Sequence, residues 1–333
     1  MEELKVGICG WGNVATGLFS ALEKNADIIA SNSGAQFTVS VIGARRDNPK
    51  CDPGNTPIER DIFDVISHDI DLVVELIGGV EVARELIIKA IKNKKHVVTA
   101  NKAVIYHHGD EIFKLAKENG VKEFGIQCMT GSGVLDPNYF PKLMEEIIKN
   151  IDVIMRSLDI KFNHVSMGGG FGIPYDDHQT PLNFDKVFKS VSDTFHSFFK
   201  NKDIPELWIE PGKSVVGNAG VLLASVTGIK KSYKNFVGLD AGMETLMRPA
   251  LYNAYHRVYK IGDLEAPNSE IVDFTGRICE NTDRLAVERP FPSIQEGDLI
   301  AIMDAGAYGF SMSHQFCTRP KAAEILIDGQ KLQ

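Results

Sequence analysis

Positive charge, paired cysteines, tryptophan and long apolar runs are what this 333-residue sequence has little of. Its 36 Lys and Arg fall short of its 44 Asp and Glu, giving a net charge of −8. No bulk basic surface is on offer, so neither nucleic acid nor an anionic membrane is an expected partner. No apolar stretch approaches the roughly 18–20 residues of a membrane span. The opening Met1-Glu2-Glu3-Leu4-Lys5 enters a strand at once, which leaves no room for a signal peptide. The five cysteines (Cys9, Cys51, Cys128, Cys279, Cys317) are odd in number and form no CxxC pair. That usage is cytoplasmic and argues against a disulfide framework and a structural metal. What is present is ordinary globular composition, 44% hydrophobic and 24% charged with 30 Gly and 14 Pro. At about 100–200 residues per domain, two or three domains fit.

The first part reads as an α/β fold. Leu4 to Cys9 is a strand that runs into Gly10-Trp11-Gly12-Asn13-Val14-Ala15 and then a helix through Leu18, Leu22 and Glu23. Gly10 serves the turn, Gly12 lets a pyrophosphate approach the backbone, and Ala15 packs helix on strand. Free N–H groups at the helix start, around Asn13 and Val14, then face the phosphates. Strands at Phe37–Ile42, Asp71–Ile77 and Lys95–Ala100 alternate with helices at Val82–Lys92 and Gly109–Asn119. Apolar strands alternating with helices predict a doubly wound, Rossmann-like parallel sheet. Arg45 and Arg46 follow the second strand, where an acid usually serves the ribose of NAD; guanidinium groups there suit a 2′-phosphate and point to NADP. Taken singly, either Arg is as well read as a solvated loop charge. His107 and His108 have no ligand spacing and read as a solvated loop.

The stretches Gly10–Ala15, Ala44–Cys51, Glu75–Gly79 and Val97–Ala103 resemble the amino-terminal domain of homoserine dehydrogenase over about residues 1–122. The resemblance implies NADP binding, with Asn101 and Lys102 beside the nicotinamide and the substrate. It also implies a following catalytic domain with an Asp-Ala-Ala-x-Lys stretch, which the chain lacks after residue 122.

From Glu123 onward the texture changes. A strand at Glu123–Cys128, a long amphipathic helix at Asn138–Leu158, a strand at Lys161–Ser166, a helix at Phe184–Phe199 and a strand at Leu207–Ile209 form βα units. Glycine loops sit at their strand ends, where barrel proteins place phosphate sites. After about residue 216 short strands dominate: Val221–Thr227, Asn235–Leu239, Ile271–Phe274, Leu299–Met303 and Ala323–Ile327. The expected domains are thus 1–122 (NADP-binding, Rossmann-like), 123–215 (partial (β/α) barrel) and 216–333 (β-rich).

Five motifs carry a second resemblance, to diaminopimelate decarboxylase, over residues 125–333. They are Gly168–Tyr175, Glu210-Pro211-Gly212-Lys213, Asp240–Met243 with Arg248–Tyr252, Cys279-Glu280 and Gly306–Phe310. The resemblance implies pyridoxal 5′-phosphate, an amino-acid substrate and lysine biosynthesis. Gly168, Gly169, Gly170 and Gly212 would cradle the phosphate, with Lys213 beside them and Tyr308 adding a hydroxyl. Glu210 would keep the pyridine nitrogen protonated, making the ring an electron sink. Arg248, with Lys213, Tyr308, Tyr252 and Glu280, would bind the substrate. Cys279 would return a proton to the reacting carbon, entering the site across a dimer interface. Each residue alone has a plainer reading as turn glycine, small core residue or surface charge. His256 lies inside a matching stretch with no role assigned.

Three departures accompany the resemblance. The family's cofactor-bearing lysine belongs to an early barrel strand, whose place the nucleotide-type domain takes here. Met129-Thr130-Gly131-Ser132 lacks the family's ring-stacking His. Lys213 replaces an Arg, keeping charge but not the planar fork. A barrel takes about 250 residues, so three or four βα units leave edges that invite a second copy or a completing partner chain. The reading is therefore a decarboxylase-like chain fused to a nucleotide domain and incomplete for catalysis alone. The alternatives are an NADP-dependent homoserine dehydrogenase fragment and a non-catalytic NADP-binding composite.

Overall fold

A computed structural model describes residues 2–200, 203–329 and 331–332; Met1 of the opening segment lies outside them. The chain divides into two compact units, Met1–Phe124 with Val153–Lys161, and Gly125–Asp152 with Phe162–Gln333.

In the first unit, β1 (Glu2–Cys9), β2 (Ala35–Gly43), β3 (Ile58–Glu59), β4 (Leu72–Glu75) and β5 (His96–Thr99) form a parallel sheet in the order β3-β2-β1-β4-β5. Alternate residues of a strand face opposite sides, and both sides are covered. Val6 and Ile8 pack with Ala15 and Phe19 of α1 (Asn13–Lys24). Cys9 and Val73 pack with Leu86 and Ala90 of α3 (Glu81–Lys92). This two-sided burial is why the strands read as apolar runs. Helix α2 (Ala26–Ser33) buries none of its residues, so no apolar stripe announces it.

Helix α4 spans Lys102–Glu118, beginning seven residues before the expected Gly109 and taking in His107 and His108, which are helical and not a loop. The side chain of Asn101 caps it, accepting the Val104 N–H at 3.2 Å. His108 Nε2 lies 3.5 Å from Glu81. The Tyr106–Gly109 stretch carries no buried residue, so the first turns have too little apolar periodicity to be visible in sequence.

The second unit holds two larger sheets and a two-stranded one near its end. β6 (Gly125–Gln127), β7 (His164–Ser166) and β8 (Glu206–Trp208) are parallel and in that order, leaving β6 and β8 as edges. Helices α5 (Tyr139–Leu158) and α6 (Phe184–Phe199) supply Phe140, Met144, Val187 and Phe195 as buried residues. The end of α5, from Val153 on, groups with the first unit. A short α7 (Lys213–Val216) follows β8.

A mixed sheet then forms from β9 (Leu222–Lys231), β10 (Asn235–Leu239), β11 (Val258–Lys260), β12 (Glu270–Thr275), β13 (Arg284–Phe291) and β14 (Leu299–Ile302), in the order β11-β14-β9-β10-β12-β13. Its core is Val226, Val237, Leu239, Val272, Phe274, Leu285 and Ile300. β13 escapes a sequence reading because Arg284, Glu288, Arg289 and Pro290 interrupt its apolar residues; Pro290 is tolerated because β13 is an edge strand. α8 (Arg248–Tyr252) sits between β10 and β11. The expected strand at Ala323–Ile327 is corrected: residues 323–326 are extended without pairing, and only Ile327–Asp328 pairs, with Lys331–Leu332. Ile325 and Leu326 are exposed, so their apolar character reflects no local sheet.

Candidate functional site

In the first unit the loops at the C-terminal ends of β1, β2, β4 and β5 carry the residues expected to meet a nucleotide. Gly10 has φ +115°, and a Cβ there would lie 2.8 Å from the Leu76 carbonyl oxygen, so only glycine fits. Gly12 precedes α1 with open space where a Cβ would be, and no acid occupies the first turn of that helix. Ala15 is buried, while Val14, Arg45, Arg46 and Lys102 are exposed.

Asn101 is more occupied than its expected role requires. Besides capping α4, its amide donates to the Gly79 carbonyl at 2.6 Å and the Ile77 carbonyl at 3.3 Å. Its backbone N–H donates to Thr99 Oγ1 at 3.0 Å. The Thr99 hydroxyl in turn donates to the fully buried Glu75, whose other oxygen accepts the Ile77 N–H at 2.8 Å. Glu75, Thr99 and Asn101 therefore shape the loops, a role that their place in a matching stretch does not disclose.

In the second unit a ring of polar residues surrounds Tyr175. Its hydroxyl is buried and has no hydrogen-bond partner among the described residues, and burial pushes its pKa up, against the pull of Arg248. The Arg248 guanidinium lies 4.4 Å from the ring centre and the Lys213 ammonium 6.0 Å. Arg248 is 6% exposed and donates to His256 Nε2 at 2.7 Å. His256 is fully buried, and its Nδ1 donates to the Met303 carbonyl at 2.7 Å. These two bonds fix the neutral tautomer, and burial pushes the imidazole down to about 4. Lys213 is also pushed down, first by burial and then by Arg248.

Tyr308 joins this group because its loop is pinned. The Gly306 N–H donates to the Gly217 carbonyl at 3.0 Å and Ala305 N–H to the Gly220 carbonyl at 2.8 Å. Tyr308 has φ +58°, an uncommon conformation for an aromatic residue. Its hydroxyl lies 3.0 Å from where a Cβ on Gly212 would be, so a glycine there gives it room. Asp304, 2% exposed, receives the Arg257 guanidinium at 2.8 and 3.1 Å and anchors the same turn.

Glu210 accepts from Ser166 Oγ at 2.5 Å and from Gln127 Nε2 at 3.3 Å. The three glycines are required by close packing: a Cβ at Gly168 would lie 2.4 Å from the Cys128 carbonyl, and one at Gly169 2.4 Å from that of Glu210. Gly168 and Gly170 have φ of +72° and +91°. Two of the expected cradle donors have internal partners, Gly168 N–H with Ser166 Oγ at 3.2 Å and Gly169 N–H with Met129 Sδ at 3.1 Å.

Tyr252, Cys279 and Glu280 are exposed, and none contacts the Tyr175 group among the described residues. Glu280 accepts from Thr282, and the Cys279 thiol meets that of Cys317. Tyr175, Ser166, Gln127, His256 and Asp304 are the participants that sequence reasoning did not single out. Tyr175 and His256 lie inside matched stretches, which is the signal that pointed to them.

Comparison with known proteins follows this geometry. The profile for the "Pyridoxal-dependent decarboxylase, C-terminal sheet domain" family matches residues 28–306. The chain belongs to the pyridoxal-dependent decarboxylase family. Among its relatives, the diaminopimelate decarboxylase of Archaeoglobus fulgidus is 41% identical over 225 residues, 66% of this chain and 53% of that protein. The homoserine dehydrogenase of Pseudomonas aeruginosa is 59% identical over 122 residues, 36% of this chain and 28% of that protein. The chain spans about half the length of the curated decarboxylases it matches first. In fold it is similar to the M. jannaschii diaminopimelate decarboxylase solved with L-lysine, with TM-score 0.68 and 23% identity over 99% of this chain and 81% of that one. The chain is thus similar to diaminopimelate decarboxylases and, over about a third of its length, to a homoserine dehydrogenase. No helix among the described residues is long and apolar enough to cross a membrane.

Proposed function

We propose that the second unit binds pyridoxal 5′-phosphate and an amino-acid carboxylate, and that the chain contributes the C-terminal part of a diaminopimelate decarboxylase site, converting meso-diaminopimelate to lysine when a second chain supplies what this one lacks. The observation that carries the reading is the convergence of Lys213, Arg248 and Tyr308 on Tyr175, whose ring lies against the two cations and whose buried hydroxyl has no partner among the described residues. A buried polar atom without a partner costs about 1–3 kcal/mol, and an anionic ligand held between two cations would supply one.

The residues present fit the cofactor. Gly212, Tyr308 and the one Gly-Gly-Gly amide without an internal partner, that of Gly170, would hold its phosphate, and Glu210 would face its ring nitrogen. The cofactor supplies an electron sink for the bond to a departing carboxylate. Glu210, oriented by Ser166 and Gln127, would hold a proton at that nitrogen. Arg248, locked by His256, offers its remaining N–H groups to a substrate carboxylate. Lys213, with its ammonium made less basic by burial, adds a point charge at the same place. Cys279 would deliver a proton to the substrate carbon, with Glu280 and Tyr252 reading the distal amino-acid end. Their exposure, away from the Tyr175 group, suits their entering a partner's site in a homodimer.

The relatives' cofactor-bearing lysine has no counterpart in the matched motifs, so turnover by this chain alone is not expected. The test is to add pyridoxal phosphate to the folded protein, measure retention by dialysis, reduce with borohydride and map adducts by peptide mass spectrometry. The expected result is retention that Arg248→Met and Tyr308→Phe weaken, without one dominant lysine adduct. A single modified lysine would name a surrogate and revive independent turnover. Absence of retention would refute the reading.

A second reading concerns the first unit, as a Rossmann-like NADP-binding domain. Its support is the glycine turn at Gly10–Gly12, the acid-free start of α1 and the two exposed guanidinium groups of Arg45 and Arg46. Asn13 and Val14 would offer N–H groups to the pyrophosphate, and Asn101 and Lys102 would lie nearer the nicotinamide. Titration with NADPH and NADH tests it.

A further inference from the structure

Two loops carry the residues proposed to meet the substrate. Residues 240–247 lead into α8 with Arg248 and Tyr252, and residues 276–283, between β12 and β13, carry Cys279 and Glu280. A single carboxylate joins them. Asp283, 3% exposed, accepts the Met243 N–H of the first loop at 2.7 Å on Oδ1 and the Ile278 N–H of the second at 2.8 Å on Oδ2. Its backbone oxygen accepts the Gly276 N–H at 3.0 Å, closing the base of the second loop. Gly242 and Gly276 make room for it: a Cβ at either would lie 2.6 or 2.2 Å from Asp283 Oδ1.

A second carboxylate repeats the tie. Glu244, 1% exposed on the first loop, receives the Arg277 guanidinium of the second at 2.9 Å, and Thr282 Oγ1 lies 3.8 Å from Met243 Sδ. Glu244 Oε2 is buried and unpartnered, facing the space beside Gly242 where Asp283 also points.

Stability is a poor account of this arrangement. Burial raises the pKa of Asp283, and the charge of Glu244 adds to it, against the pull of Arg277 and the two N–H donors. The ionised form is thus held at a cost that an uncharged residue would avoid. What only a carboxylate does is accept from both loops at once, because an amide has one acceptor oxygen and turns two donors toward its neighbours. We infer that Asp283, with Glu244 beside it, is a positioning residue that fixes the loop of Cys279 and Glu280, which would enter a partner's site, against the loop leading into α8. Its functional weight rests on the decarboxylase reading, whereas the clamp itself is a matter of loop geometry and is tested without cofactor or substrate.

The experiment compares the full wild-type chain with Asp283→Asn and Glu244→Gln. Peptide-resolved alkylation by iodoacetamide gives a rate for each cysteine. Loss of one buried hydrogen bond between the loops is expected to speed alkylation of Cys279 about fivefold, with Cys9 and Cys128 unchanged and the thermal midpoint nearly so. The pH profile of Cys317 adds a readout that general loosening does not move. Burial first, then the hydrogen bond to the Cys279 thiol, holds the Cys317 pKa up; a displaced Cys279 loop removes the second contribution, and the Cys317 midpoint falls. Cys279 rates within twofold of wild type and an unmoved Cys317 midpoint overturn the inference. If Asp283→Asn does not fold, Glu244→Gln decides by the same readouts. Failure of pyridoxal phosphate to bind would remove the decarboxylase reading and leave this result standing.

Discussion

The two units treat their candidate arginines in opposite ways. In the first, Arg45, Arg46 and Lys102 are exposed, and the buried Glu75 and the half-buried Thr99 and Asn101 satisfy one another. In the second, Arg248, His256 and Asp304 are all at most 6% exposed, and Tyr175 and Glu244 keep atoms without partners. A finished polar network in a loop is a scaffold, able to meet a ligand with its surface charges at little cost to folding. A buried, unfinished one is already desolvated, so a ligand gains full electrostatic strength there and a substitution costs more. The contrast predicts that site substitutions in the second unit disturb folding and binding together, while those in the first separate them.

The largest expected effect comes from removing the anchor of the second unit. Asp304→Ala takes from the part-exposed Arg257 guanidinium its hydrogen bonds to a buried carboxylate, leaving it Asp177 at 3.5 Å, and should cost about 2–3 kcal/mol, the upper range for hydrogen bonds to charged groups. Hydrogen-exchange mass spectrometry should place the loss in β9–β14 and spare β1–β5; equal loss in both would remove the contrast.

Next is pH. His256 titrates at about 4 against an ordinary 6.5. Its unfolded form binds protons that the folded form refuses, so stability is full above about 6.5 and falls as pH drops toward 4. At 1.36 kcal/mol per unit, lowering pH from 6.5 to 5 should cost the second unit about 2 kcal/mol. His256→Asn should flatten that dependence, and urea unfolding at the two pH values measures it.

Asn101→Ala should cost the first unit about 1 kcal/mol, the ordinary loss of a helix cap, read from hydrogen exchange in α4. The smallest effect on folding belongs to Arg45→Asp, expected within about 0.5 kcal/mol of wild type. The same change should abolish any preference for NADPH over NADH in a fluorescence titration. A substantial loss of stability there would mean Arg45 is structural.

Legibility followed periodicity. β1, β2 and β4 were readable because burial on both faces makes their sequences largely apolar, β5 from its Val97-Val98 pair although none of its residues is buried, and α5 and α6 because Phe140 and Met144, and Val187 and Phe195, repeat along one side of each. α2 and the start of α4 were not, since they bury little there, and β13 was hidden by its charges and Pro290. The apolar run at Ala323–Ile327 misled, because Ile325 and Leu326 remain exposed. Among candidate residues, the matched motifs brought Lys213, Arg248 and Tyr308 to attention, and nothing in their spacing disclosed Tyr175 as the group they surround.

By itself the sequence determined the alternation of strands and helices, the change of texture near residue 123 and the two sets of motifs, because these depend on residue type and local period. Tertiary structure alone decided that Asn101 caps a helix, that His256 locks Arg248 and that Asp283 ties two loops 40 residues apart. Each of those is a hydrogen bond whose partner is chosen by the path of the backbone, and a buried donor or acceptor must take whichever partner the fold places within about 3 Å.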